Sequence, residues 1–126
     1  MKRIYIATAF LLLTISLAIF EAYYVSKQTE TFVFKIEEID NSMKENNLKK
    51  AYSDLSILEK EWEDKLWTFE IMLNNDSTDA ISENLAALRV YTKEGNNEEY
   101  FSSSEIIKKQ LTSLKDSELL SFENIL

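Results

Sequence analysis

From Ile4 to Phe20 the chain is apolar at 14 of 17 positions, and only Thr8, Thr14 and Ser16 interrupt the run. No other feature narrows the folding options as much. A helix in a small water-soluble domain shows a polar stripe, and this segment has none. Extended to Val25, the run holds 18 apolar residues in 22, with Glu21 the only charge. At about 1.5 Å per residue, such a helix reaches roughly 33 Å, enough for a hydrocarbon layer of about 30 Å. Thr and Ser hydroxyls are tolerated there because they bond back to the helix's own carbonyls. Tyr5 near one end, and Tyr23 and Tyr24 at the other, stand where interfacial aromatics are expected. Residues 1–25 therefore read as an uncleaved transmembrane signal-anchor, with residues 4–25 in lipid. Two other readings fit less well. A cleaved signal peptide would use Ser16-Leu17-Ala18 as its small-x-small site, but bulky Ile19 and Phe20 follow directly. A buried soluble helix would need the missing polar stripe.

Lys2 and Arg3 precede the apolar run. Basic residues stay on the cytoplasmic side, so the N-terminus is expected inside and residues 26–126 outside the membrane. Those outer residues carry 12 basic and 21 acidic side chains, a net −9. This charge favours solubility and repels anionic headgroups, so close membrane contact by the domain's surface is not expected. It also argues against a nucleic-acid partner, whose phosphates must be neutralised by Lys and Arg.

The outer domain is expected to be all-α. The chain has no Pro and one Gly, so few residues break a helix. Apolar residues recur at Val25, Phe32, Ile36, Ile39 and Met43, and the later spacings of 4, 3 and 4 place them on one helical face. The first helix is thus expected to leave the bilayer as a stalk ending near Lys44, with a turn at Glu45-Asn46-Asn47. Leu48, Ala51, Leu55, Leu58, Trp62, Leu66, Phe69 and Leu73 mark a second helix. Asn74-Asn75-Asp76-Ser77 ends it, and Asp76 or Ser77 is expected to cap the third. The third helix reads from Ala80, Ile81, Leu85, Leu88 and Tyr91 to Gly95, a residue suited to a left-handed C′ position. The fourth begins near Asn97 and uses Tyr100, Ser104, Ile107, Leu111 and Leu114. The tail Leu119, Leu120, Phe122, Ile125 and Leu126 is apolar, and docking onto the bundle is expected. Asn47, Tyr52, Ser53, Ile57, Leu58 and Lys60 recur as Asn96, Phe101, Ser102, Ile106, Ile107 and Lys109, at a constant offset. The architectures that fit are an antiparallel helical bundle and stacked helical hairpins.

Little in the chain supports catalysis. It has neither His nor Cys, which removes the commonest base, the thiolate nucleophile and Cys-ligated zinc. Carboxylates cluster at Glu37, Glu38 and Asp40, at Glu59, Glu61, Glu63 and Asp64, and at Glu98 and Glu99. They lie mainly between apolar positions, so a hydrated face is expected. Asn74 to Asp79 loosely suggests a calcium loop, but Asp79 and Leu85 occupy the places of its essential Gly and Glu. Ser102-Ser103-Ser104 shows no neighbouring base. No catalytic residue, metal site or cofactor is expected. Trp62 and Trp67 point to different faces of the second helix. Trp62 lies on the core stripe, and Trp67 is the candidate partner-binding residue.

The short basic start, the single apolar segment, Glu61-Trp62-Glu63-Asp64-Lys65-Leu66-Trp67 and the tail ending Glu123-Asn124-Ile125-Leu126 resemble the DUF4363 family. These are small bacterial proteins that carry a domain of unknown function. The resemblance covers nearly the whole length. It implies a membrane-anchored helical domain outside the cytoplasmic membrane and supplies no activity or ligand. The leading expectation is a non-enzymatic protein–protein interaction or scaffold module of the envelope, with an unidentified protein partner. One alternative is a carboxylate-based enzyme or divalent-ion-binding domain. Another is a structural subunit that self-associates through Phe32, Ile36, Ile39 and Met43.

Overall fold

A computed structural model describes residues 1–73 and 75–125; the side chains of Asn75, Ser121, Phe122 and Ile125 lie outside that description. Four helices make up the described residues: α1 (Lys2–Lys44), α2 (Leu48–Met72), α3 (Asn75–Glu94) and α4 (Asn97–Ile125). Each packs against the next, and α4 closes back onto α1. This closure selects the antiparallel bundle over stacked hairpins. Cross-helix pairs show the direction of each helix. Tyr24 meets Phe69 and Phe32 meets Trp62, with ring centroids 6.0 and 5.4 Å apart. Glu30 meets Lys115, and Asp40 meets Tyr100. Rising numbers on α1 therefore pair with falling numbers on α2 and on α4.

The apolar stripes read from spacing form the core. Ala51, Leu55, Leu58, Trp62, Phe69, Ile81, Leu85, Leu88, Tyr100, Ile107 and Leu111 are all buried. So are Phe32, Ile36, Ile39 and Met43 on α1. These four do not line a free stalk. They are covered by the chain's own helices, so the face expected to mediate self-association is already used. Trp62 stacks on Phe69 at 5.3 Å, and its indole Nε1–H donates to Ser82 Oγ at 2.7 Å. Ser82 in turn donates to the Thr78 carbonyl. The buried indole is thus both packed and hydrogen-bonded.

The core includes Val25, the first residue of the stripe on α1, and reaches one turn further to Ala22. Val25 is fully buried and Ala22 nearly so, although both fall within the stretch assigned to lipid. Just before them only the end of α4 flanks α1 among the described residues, with Glu118 facing Glu21. An 18-residue window is long and apolar enough to cross a membrane, and none of it is buried.

Two turns at the same end of the bundle share one design. Asn46 and Gly95 adopt left-handed φ values of 60° and 69°. Asn47 and Asn96 follow as N-caps, their Oδ1 atoms accepting from Lys50 N and Glu99 N, each at 3.3 Å. The offset repeat in the sequence thus marks one hairpin joint used twice. At the opposite end the expected caps are displaced. Asp76 and Ser77 lie inside the first turn of α3, which already begins at Asn75; Asn74 lies outside the described residues. The tail also departs from expectation. It continues α4 instead of folding back, and Leu119 and Leu120 remain exposed. The expected docking of Phe122, Ile125 and Leu126 concerns side chains outside the description.

Candidate functional site

The most concentrated polar site among the described residues lies beside the two similar turns, between α1 and α4. Tyr100, Ser104 and Lys108 are spaced by four, so they form a line along α4. Opposite them stands Asp40. The Tyr100 hydroxyl and the Ser104 hydroxyl both donate to Asp40 Oδ1, at 2.8 and 2.7 Å. The Lys108 ammonium donates to Oδ2 at 3.0 Å. Lys108 also pairs with Glu105 at 2.8 Å. Tyr100, Ser104 and Asp40 are buried, while the Lys108 side chain keeps 19% exposure.

The surroundings move Tyr100 and Lys108 away from acid–base work. Burial pushes the Tyr100 phenol far above its usual range, and the adjacent Asp40 charge and hydrogen bond add to the rise. For Lys108, burial disfavours the ammonium, but the hydrogen bonds to Glu105 and Asp40 outweigh it and the pKa rises. Both therefore stay protonated at neutral pH. A general base needs a pKa near the working pH, and neither side chain has one. Ser104 does have a carboxylate beside it, which its sequence neighbours did not reveal. That carboxylate is shared with two further donors, and the serine is 1% exposed. The arrangement holds α1 to α4 by a satisfied buried network.

Asp40 corrects the expectation that the carboxylates face water. Glu37 and Glu38 do face water. Glu59 is a partial second exception. Its carboxylate is 3.5 Å from Arg89, with Oε1 buried and unpaired, and burial raises its pKa despite the nearby guanidinium. Near the opposite end of the bundle, Glu118 faces Glu21. Burial first, and then the hydrogen bond and charge of Glu21, push the Glu118 carboxyl up to about 7. Among the described residues no three acidic side chains converge as a metal site would require. Trp67, the candidate partner-binding residue, is separate from the Asp40 network. It is 72% exposed, and Ile71 one turn further along α2 is 65% exposed.

A comparison with curated proteins and with solved structures finds no match. The profile of the domain of unknown function DUF4363 matches residues 19–125, a span that takes in the whole bundle, both turns with Asn caps and the Asp40 network. The chain belongs to the DUF4363 family.

Proposed function

We propose that this chain is a single-pass membrane protein. Its apolar α1 segment holds an acidic, non-enzymatic bundle outside the cytoplasmic membrane, where the bundle acts as a protein-interaction or scaffold module of the bacterial envelope. One observation carries this reading. None of the membrane-length apolar window of α1 is buried by the described residues, yet it continues without a break into a stretch of the same helix with one face packed in the core. Water is a poor solvent for that half, and lipid is the solvent whose thickness matches its length. The scaffold role is supported by the chemistry of the polar site. Tyr100 and Lys108 are tied to Asp40 and are both raised away from a catalytic range.

Two measurements test the proposal. Protease added to intact cells should cut at the Glu45–Asn47 turn, and full protection there would overturn the orientation. Photocrosslinkers placed at exposed Phe34 or Ile57 should give a discrete adduct with one membrane-associated protein. Absence of any adduct from the bundle surface, with expression and folding intact, would overturn the interaction role.

A further inference from the structure

The helix register shows which residues lie level with the point where the packed part of α1 begins. On α2, Phe69 meets Tyr24, so Ile71 lies near the level of Ala22 and Trp67 near Ser26. On α4, Lys115 meets Glu30 and Glu118 meets Glu21. Leu119 and Leu120 therefore lie between the levels of Ile19 and Ser26. From there α4 continues to Ile125, roughly another 8 Å at about 1.5 Å per residue, alongside the apolar part of α1.

The exposed apolar residues at this level form a rim. Phe20 is 60% exposed, Tyr23 65%, Trp67 72%, Ile71 65% and Leu120 58%. Trp67 and Ile71 are the most exposed large apolar residues described on α2, α3 and α4. Length arithmetic locates the rim relative to a bilayer. A hydrocarbon layer of about 30 Å, counted from Ile4, takes roughly 20 helical residues and ends near Tyr23. That is the level of Ile71 and Leu120. Trp67 lies about 6 Å above it, in the interfacial layer where Trp and Tyr concentrate.

We infer that the base of the bundle is seated in the outer leaflet, with Trp67, Ile71 and Leu120 in contact with lipid at the headgroup–acyl boundary. Lipid is the occupant because the rim is continuous with the membrane-crossing face of α1. Acidic side chains share this level, with Glu118 turned onto Glu21 and Glu70 half-buried, so the contact is confined to the aromatic and aliphatic side chains between them. The inference rests on the anchoring proposed above.

Full-length protein in phosphatidylcholine vesicles tests both claims separately. Trp67 emission is read as the difference between wild type and Trp67→Phe, since Trp62 is buried. Flotation with the vesicles is the first readout, and a chain left in the soluble fraction overturns the anchoring and this inference together. In floated samples, Trp67 emission should lose most of its intensity to lipids carrying a nitroxide high in the acyl chain. It should lose far less to soluble acrylamide. Ile71→Asp with Leu120→Asp, both at exposed positions, should reverse that order while flotation persists. Floated protein whose Trp67 is open to acrylamide and unquenched by lipid overturns the seating alone. Protection from acrylamide without lipid quenching also overturns it, and shows that protein covers Trp67.

Discussion

Replacing Asp40 by alanine removes the acceptor shared by three donors. The Tyr100 and Ser104 hydroxyls are buried, and their hydrogen bonds to Asp40 would be lost. A buried hydroxyl left unpaired costs about 1–3 kcal/mol, so the two together cost roughly 4 kcal/mol. Lys108 adds little, because it keeps Glu105 and some contact with water. A domain of this size has a total stability of about 5–15 kcal/mol, so the loss is a large share of it. Each kcal/mol lowers Tm by about 4–8 °C, which makes the shift easy to read from helical circular dichroism in detergent micelles. Asp40→Asn retains an oxygen for the two hydroxyls but presents an amide to the ammonium, and should lose about 2 kcal/mol. A triple variant, Asp40→Leu with Tyr100→Phe and Ser104→Ala, removes the donors with the acceptor and should recover most of the loss. The reasoning is refuted if Asp40→Ala stays within about 0.5 kcal/mol of wild type. It is refuted equally if the triple variant is no more stable than Asp40→Ala.

Three further outcomes follow from the same structure. Asn47→Ala and Asn96→Ala should each lower stability by about 1 kcal/mol, measured by denaturant unfolding, because each removes a side-chain cap. Trp62→Ala should cost about 3–5 kcal/mol, whereas Trp67→Ala in micelles should cost less than about 0.5, and equal losses would contradict the assigned burial. Glu118 has its carboxyl raised from 4.5 to about 7, so between those values the folded chain holds a proton that the unfolded chain has released. This group's stabilising effect is present below 4.5 and is lost as pH rises toward 7, by about 1 kcal/mol after allowing for solvent screening. Glu118→Gln should flatten that part of the Tm-versus-pH curve, and an unchanged slope would argue against the pairing with Glu21.

Periodicity reads out a helical face, and it located the buried stripes of α2, α3 and α4 well. It also placed Ser104 among the apolar positions of α4, where a hydroxyl needs a partner. That was the available signal for the polar site. Asp40 was harder to see because Glu37 and Glu38 precede it and mark a hydrated surface. Yet Asp40 is four residues after Ile36 and three before Met43, so it shares their buried face. Its donors lie 60 to 68 residues away along the chain, a pairing that no local spacing encodes. The tail shows a different limit. Leu119 and Leu120 are apolar, and apolarity alone cannot distinguish a side chain covered by protein from one left outside the core.

The same limit bears on α1, which carries two kinds of apolar surface on one unbroken helix. From Ile4 to Phe20 nearly all of its large side chains are exposed, and from Ala22 to Met43 one face is packed in the core between α2 and α4. No Pro or Gly lies between the two halves to act as a hinge. Val25, Phe32, Ile36 and Ile39 are each at most 3% exposed, so α1 cannot slide or rotate in the bundle without opening the core. Close packing resists such movement. In the proposed arrangement the bilayer therefore holds the bundle at a set height and angle. The two similar turns then stand roughly 33 Å beyond Ala22, counting about 1.5 Å per residue to the end of α1. The Asp40 network ties α4 to α1 close to that far end, so a tilt of the anchor is delivered to the turns as a movement of the whole bundle. A partner that binds there meets a surface whose position relative to the membrane is set by α1 itself.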